Sequence, residues 1–117
     1  MSKKFTLPEP SEAAILDAIR RGLRIHPKVA WFERMNSGAH VAGEGPAKRF
    51  IRFGFVGCPD IIGQLVDGRF LGIEVKRPSG RVSPHQAAFI QRAVEHGGVA
   101  FVARSVADVF DVLDRCC

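Results

Sequence analysis

The segment DIIGQLVDGRFLGIEVK, residues 60–76, decides the fold of this chain. Its two halves, Asp60 to Val66 and Arg69 to Lys76, are rich in Ile, Leu, Val and Phe, residues that favour β-strands. The Asp-Gly pair between them is a strong hairpin signal. The segment therefore predicts two antiparallel strands joined by a tight turn.

The length of the turn decides which side chains of the two strands share a face. With a two-residue turn, Asp60 lies opposite Val75 and faces away from Glu74. With a three-residue loop that ends in a left-handed Gly68, Asp60 lies directly opposite Glu74 on one face. Both loops are common, and glycine stands where the longer loop requires it. A joint site for the two carboxylates therefore predicts the three-residue loop or a bulge of equivalent effect.

Capping signals predict three helices around this hairpin. Ser11 suits a helix N-cap, and the apolar residues that follow it recur at helical spacing. Ser83 opens a second helix, with proline at its first position and a Ser-x-x-Gln capping box that ends in Gln86. Ser105 caps a third, amphipathic helix that runs through Leu113.

Strand and loop signals fill the intervals between the helices. We expect strands at 29–35 and 99–103, a loop at 36–40 and a flexible, exposed stretch at 41–47. Residues 49–55 fit either a short strand or an extended loop. The order α-β-β-β-α-β-α predicts an α/β fold, with helices on the faces of a mixed sheet.

The composition is that of an ordinary globular protein with a basic surface. The 117 residues are 46% hydrophobic and 25% charged, which fits one domain over 10–117 after a flexible lead-in at 1–9. A net charge of +5 favours a polyanionic partner such as nucleic acid. No apolar run approaches the roughly 20 residues that span a bilayer, so we expect a soluble, intracellular protein without a membrane partner. The three cysteines show no metal-binding spacing and are expected to be reduced thiols.

Asp60, Glu74 and Lys76 are the residues that point to chemistry. A glutamate and a lysine inside an otherwise apolar strand are costly to bury unless they are paired or used. Two facing carboxylates suit Mg²⁺, which is held by one or two carboxylates together with substrate phosphate. The metal would activate a water for phosphodiester hydrolysis, and Lys76 would orient or deprotonate that water or stabilise the transition state. A surface salt bridge between Glu74 and Lys76 is the alternative.

Glu12 and Gln86 are further candidates for the same site. Glu12 shares a helical stripe with Ile15, Ile19 and Leu23, so its carboxylate is expected to point to the core side and could ligate the metal. A first-turn glutamate that favours the helix dipole is the simpler explanation. Gln86 completes the capping box, yet it also lies where a polar group could reach water or phosphate. Phosphate contacts are possible for Arg34, Ser37, His40, Lys48, Arg49 and Arg52, although most basic residues in such loops are only solvated.

With these motifs in place, the chain resembles the VRR-NUC family of the PD-(D/E)xK nuclease superfamily. The resemblance covers nearly the whole chain in order. Pro-Asp followed by Glu-x-Lys becomes fairly specific once the flanking motifs are included. The matching residues are Glu12, Asn36-Ser37-Gly38, Gly57-Cys58-Pro59-Asp60, Ile73-Glu74-Val75-Lys76, Arg81-Val82-Ser83-Pro84-His85-Gln86 and Gly97-Gly98-Val99.

The resemblance implies a restriction-endonuclease-like α-β-β-β-α-β-α core that binds Mg²⁺ or Mn²⁺. The residues that carry over are Asp60 and Glu74 as metal ligands, the Val75 carbonyl as a further ligand, Lys76 as the catalytic lysine, and Glu12 and Gln86 as supporting metal and catalytic residues.

Free-standing members of this size are typical of phages and bacteria, and look like homodimers that act on branched DNA such as four-way (Holliday) junctions. We therefore expect a metal-dependent DNA endonuclease in the cytoplasm of a bacterium or a phage-infected cell. The alternatives are a non-catalytic DNA-binding module that kept the fold, and a sequence-specific restriction-type enzyme.

Overall fold

The computed structural model describes residues 7–35, 45 and 54–116, together with the backbone of 39–42 and 49–52. The helices are α1 (Glu12–Ile25), α2 (Pro84–Glu95) and α3 (Val106–Arg115). The strands are β1 (Val29–Arg34), β2 (Ala39–Ala42), β3 (Arg49–Arg52), β4 (Ile61–Leu65), β5 (Phe70–Val75) and β6 (Val99–Ala103). No helix in these ranges is long and apolar enough to cross a membrane.

The hairpin of β4 and β5 has the register of the three-residue loop. Ile61 pairs with Ile73, so one step further along the same register Asp60 lies opposite Glu74. Gly68 has a φ of 95°, the left-handed conformation that the longer loop requires at its last position. The prediction of this loop is confirmed, and both carboxylates therefore belong to one face of the sheet.

A four-stranded mixed sheet forms the centre of the molecule, in the order β1-β4-β5-β6. β1 is antiparallel to β4, and β6 is parallel to β5. The parallel pair needs a crossover connection, and α2 supplies it. With β2 and β3 set aside, the elements follow the predicted α-β-β-β-α-β-α order, and the predicted α/β class is confirmed.

One face of the sheet, here called the core face, is covered by α1 and α3. Side chains of β4 and β5 on this face, such as Ile61, Leu71 and Ile73, are completely buried. They pack in one cluster with the apolar stripe of α1 and with Val109 and Leu113 of α3. Burying a side chain of this size contributes about 1.5–3 kcal/mol, so the core face holds most of the apolar stabilisation.

The opposite face, here called the α2 face, carries the residues that alternate with the core. Asp60, Phe70 and Glu74 belong to it because they are out of step with Ile61 and Ile73. α2 packs on this face against β5 and β6. The helix has no fully buried residue, so its cover is shallow.

The segment between β1 and β4 contains two strands that pair with each other. β2 and β3 are antiparallel and form a separate two-stranded sheet. The expectation of loop at 39 and 40, and of a flexible stretch from 41, is therefore wrong for residues 39–42. Residues 49–52 follow the strand alternative rather than the extended loop. Residues 36–38, 43, 44 and 46–48 lie outside the described ranges.

Candidate active site

The carboxylate of Asp60 is fixed by the backbone of the neighbouring strand. Its Oδ2 atom accepts a hydrogen bond of 2.7 Å from the backbone N–H of Val75. The carbonyl oxygen of Asp60 accepts another of 2.7 Å from the N–H of Met35, where the chain leaves β1. Asp60 therefore lies between β1 and β5, and a hydrogen bond from the backbone, rather than from another side chain, fixes the orientation of its carboxylate.

The carboxylate of Glu74 is buried, with 2% of the residue exposed. Its Oε1 atom accepts a hydrogen bond of 2.8 Å from Nε2 of Gln86 and lies 3.6 Å from Nζ of Lys76. Its Oε2 atom has no hydrogen-bond partner among the described residues. A buried carboxylate oxygen without a partner costs stability while the group is ionised, so this atom is a candidate to bind a cation.

The pKa of Glu74 is raised to about 8, by burial first and then by the negative charge of Asp60. The ammonium of Lys76 opposes this shift. Two carboxyl groups held this close cannot both ionise easily without a cation between them. The pair therefore favours a shared proton, and a metal ion that bound there would have to displace it.

Lys76 follows β5 and points to the same face as Glu74. Its side chain is 15% exposed, while that of Glu74 is 3% exposed, so the pair is not the surface salt bridge that was the alternative. The backbone N–H of Lys76 donates to Ala103 O of β6 at 3.0 Å. The lysine is thus anchored at its main chain and directs a mostly desolvated cation towards the carboxylates.

Gln86 caps the start of α2 and also contacts the carboxylate of Glu74. Its Oε1 atom accepts from the N–H of Ser83 at 2.9 Å, which completes the capping box at the start of α2. Its Nε2 atom donates to Glu74, as described above. Only an amide can make both bonds at once, because the glutamate that capping boxes also tolerate has no donor for Glu74.

Comparison with known families identifies the family of this chain. The model of the VRR-NUC domain matches residues 11–107, which is most of the chain. The chain belongs to the VRR-NUC family. No curated protein matches it as a relative. Membership makes it a nuclease-type domain, for which DNA binding is implied and divalent metals are the general requirement.

The carboxylates fit the divalent metal that VRR-NUC nucleases use. Oxygen ligands suit Mg²⁺ and Mn²⁺, and the orphaned Oε2 of Glu74 beside Asp60 is a vacant oxygen donor of that kind. The two carboxylates are not a complete set of ligands, because within the described ranges no three His, Cys, Asp or Glu side chains are grouped as a metal site. Substrate phosphate and water usually complete such a coordination sphere.

The structure does not bring Glu12 to these two carboxylates. Ile15, Ile19 and Leu23 of its stripe are buried as expected, but Glu12 itself is exposed at the first turn of α1. Its role as a metal ligand stays a prediction, and so does that of the Val75 carbonyl. The position of Glu12 suits the helix dipole, which was the simpler explanation.

Two contacts that sequence reasoning missed hold the site together. Arg104 Nη1 lies within 2.7–3.1 Å of the carbonyl oxygens of Arg77, Pro78 and Gly80, in the turn that joins Lys76 to α2. Glu9, expected in a flexible lead-in, accepts hydrogen bonds from the N–H and hydroxyl of Ser79 in the same turn, and these bonds lower its pKa. Neither contact has a local sequence signal, because each joins residues more than twenty positions apart.

The loop before Asp60 is pressed against the start of α2. Gly57 has a φ of 84°, and a Cβ atom there would stand 2.4 Å from the carbonyl oxygen of His85. Only glycine tolerates both the conformation and the contact. The next residue, Cys58, is a buried free thiol whose pKa is raised by burial first and then by the charges of Glu74 and Asp60.

The structure describes only some of the six residues that were predicted to contact phosphate. Arg34 is exposed at the end of β1, opposite Ile61, so it leaves the strand on the core face rather than beside Asp60. His40 lies in β2 and Arg49 and Arg52 lie in β3, where the structure describes the backbone alone. Ser37 and Lys48 lie outside the described residues. The role of all six in DNA binding stays a prediction.

Proposed function

We propose that this VRR-NUC domain is a metal-dependent DNA endonuclease that uses Mg²⁺ or Mn²⁺ and cuts branched DNA, such as a four-way junction, as a homodimer. The observation that carries the proposal is the position of Asp60 opposite Glu74, with Lys76 and Gln86 both directed at Glu74 Oε1. A protein that only binds DNA gains nothing from two clustered carboxylates next to phosphate, since they would repel it.

Each side chain of the cluster has a definite task in phosphodiester hydrolysis. Asp60 and Glu74 would hold the metal, which when bound lowers the pKa of a water and offsets charge on the phosphate oxygens. Lys76 directs its cation at the carboxylates and so at the space where an attacking water and a phosphate oxygen would meet. Gln86 holds the Glu74 carboxylate in place, so that its free oxygen stays turned to the ligand.

The preference for branched DNA and the dimer rest on the resemblance stated above and on the number of sites that is needed. The described residues hold one cluster of this kind, whereas a junction must be cut in two strands. Two copies related by a two-fold axis would supply two sites. The net charge of +5 supports association with a phosphate backbone.

The test is cleavage of labelled four-way junction, flap, single-stranded and linear duplex DNA with Mg²⁺, Mn²⁺ or EDTA. We expect metal-dependent cutting that favours a branched substrate and is lost in Lys76→Ala. Tight, salt-sensitive binding without cutting in either metal would instead support a non-catalytic DNA-binding module. Cutting at one fixed sequence of linear duplex would support a restriction-type enzyme.

Sedimentation velocity at the concentrations of the cleavage assay tests the dimer separately. A dimer alone or on the junction is expected. A monomer that still makes paired cuts would remove the dimer from the proposal and leave the nuclease intact.

A further inference from the structure

We infer that a groove between β5 and α2 binds an unpaired nucleobase of the DNA, next to the cleavage site. The groove lies on the α2 face and has a volume of about 460 Å³, within the range of ligand pockets. The residues that line it are Arg69, Phe70, Phe89, Arg92, Ala93, His96, Gly97 and Gly98. The inference rests on the proposed function, which identifies the ligand as DNA. It adds one feature of the substrate, an unpaired base, that the carboxylate cluster does not indicate.

Aromatic rings lie in the groove and at its edge. Phe70 is 36% exposed and Phe55 is 46% exposed, although both are large apolar side chains. Phe89 of α2 lies between them, with ring centroids 6.0 Å from Phe70 and 5.2 Å from Phe55. Three rings that meet at the surface of a small domain offer a stacking platform of the kind that single-stranded nucleic acids use.

The charged residues that line the groove are Arg69 and Arg92, and Arg69 is paired with Asp67 at 2.8 Å. His96 also lines the groove, and a smaller adjoining pocket of about 260 Å³ adds His85. No carboxylate stands among the described residues that line either pocket. The guanidinium of Arg92 lies 5.7 Å from the centroid of Phe89, so a cation and an aromatic face are presented together. An aromatic surface framed by cations is complementary to a base with its phosphate, and less so to an apolar protein surface.

The groove and the carboxylate cluster lie on the same face of the sheet. Phe70 and Glu74 lie on the same face of β5, four residues and therefore roughly 13 Å apart along the strand. The ring of Phe70 leans over Gly72, where a Cβ atom would stand 2.9 Å from it. In stacked DNA the strand advances about 3.4 Å per nucleotide, so a base in the groove belongs to a nucleotide a few positions from the bond cut. This makes the substrate a DNA with unpaired nucleotides beside the cleavage position.

The test compares binding of a 12-nucleotide oligothymidylate with that of an abasic oligonucleotide of the same length and charge, by fluorescence anisotropy in EDTA. We expect the oligothymidylate to bind about tenfold more tightly, because stacking on aromatic side chains favours a base by this order. Phe89→Leu should abolish the difference, and Phe89→Tyr, which keeps the ring, should retain it. Equal binding of both oligonucleotides by the unaltered protein would overturn the inference.

Charge variants separate stacking from attraction to phosphate. Arg92→Gln should weaken both oligonucleotides by a similar factor and reduce the dependence on salt. Arg24→Gln is the matched control, since it removes one exposed cation from α1 on the core face. Equal effects of the two substitutions would show that the groove has no special role in binding phosphate and would contradict the inference.

Two further measurements keep the inference testable if Phe89→Leu fails to fold or alters assembly. Ultraviolet crosslinking of 5-iodouracil in the oligonucleotide to the unaltered protein should map to the peptides of Phe70 or Phe89, and crosslinks elsewhere would contradict the proposal. Sedimentation without DNA tests whether a second copy of this chain occupies the groove. A dimer that Phe89→Leu converts to a monomer would assign the groove to the protein interface instead.

Cleavage by Phe89→Leu distinguishes this inference from the proposed function. The variant should raise KM for DNA with little change in kcat, since the carboxylate cluster is untouched. If the unaltered protein cuts no DNA but prefers the oligothymidylate through Phe89, the nuclease proposal fails and the base site stands. If it cuts but shows no preference for a base, the reverse holds.

Discussion

The two faces of the four-stranded sheet are built from alternate residues of the same strands, yet they are covered differently. On the core face, Ile61, Leu71 and Ile73 are completely buried under α1 and α3. On the α2 face, Glu74 is buried with an unpartnered oxygen, and Phe70 remains partly exposed beneath a helix that buries none of its own residues. A one-residue step along β5 thus separates Ile73, which stabilises the fold, from Glu74, a buried carboxyl group that costs stability when it is ionised.

The comparison teaches that stability and chemistry are assigned to opposite faces and can be altered separately. A deep apolar core on one face can support the strain of two neighbouring carboxylates on the other. Substitutions on the core face should therefore change the free energy of unfolding and leave the site chemistry intact in the protein that still folds. Substitutions on the α2 face should do the reverse.

The largest effect is expected from truncating a core-face residue. Ile73→Ala should lower the free energy of unfolding by about 2–5 kcal/mol, because it leaves a cavity in the cluster under α1 and α3. Ile62→Ala is the matched control: the same change, one strand away, at a half-buried residue of the α2 face. It should destabilise by about 1 kcal/mol. Urea titrations of both variants measure the difference, and equal losses would show that the two faces are packed alike.

The next largest effect concerns activity rather than stability. Lys76→Ala should reduce kcat by about 10²–10³-fold, the usual result of removing a group that stabilises developing charge. Its melting temperature should change little below pH 8, since Glu74 then carries a proton and its pair with Lys76 spans 3.6 Å. Arg24→Ala controls for the loss of one positive charge. A similar loss of kcat in both variants would mean that Lys76 acts only through the net charge.

The raised pKa of Glu74 predicts that the stability of the folded protein depends on pH. A carboxyl group with a pKa of about 8 in the folded protein and about 4.5 in the unfolded chain favours folding while it is protonated. This contribution is complete below pH 4.5 and is lost as the pH rises to 8. Without metal, the melting temperature should fall by about 5 °C or more between pH 5 and pH 8.5. Glu74→Gln should flatten this dependence.

Metal binding should act in the opposite direction, because it requires the ionised carboxylates. Mn²⁺ or Mg²⁺ should raise the melting temperature more at pH 8.5 than at pH 6, and EDTA should reverse the increase. Calorimetric scans at both pH values test this in the unaltered protein and in Glu74→Gln. If the metal stabilises both proteins equally, it binds away from Glu74.

Much of this arrangement could be predicted from local sequence, since local chemistry determines it. The Asp-Gly pair predicted the hairpin, and the structure has the three-residue loop, the one of the two alternatives that places Asp60 opposite Glu74. The serines at the helix starts accept hydrogen bonds from backbone N–H groups as their capping role requires. The resemblance to VRR-NUC domains agrees with the family match over residues 11–107.

The remainder depends on contacts between distant residues, which local patterns do not encode. β2 has the composition of a loop and becomes a strand only because β3 supplies its hydrogen bonds. The contact of Arg104 with the turn after Lys76 joins segments more than twenty residues apart. Helical periodicity placed Glu12 on the core stripe, but it could not show that the first turn of α1 stays exposed.

The smallest effects are expected at the start of α2, where one residue serves both stability and chemistry. Ser83→Ala removes the hydroxyl that caps the helix and should lower the free energy of unfolding by about 1 kcal/mol, with little loss of kcat. Gln86→Glu keeps the acceptor for the N–H of Ser83 but replaces the donor to Glu74 by a third carboxylate. It should lower kcat about tenfold while the helix remains capped. Urea titration and single-turnover cleavage of both variants separate the two roles of Gln86. If Ser83→Ala lost as much activity as Gln86→Glu, the position of α2 as a whole, rather than the amide at Glu74, would control the site.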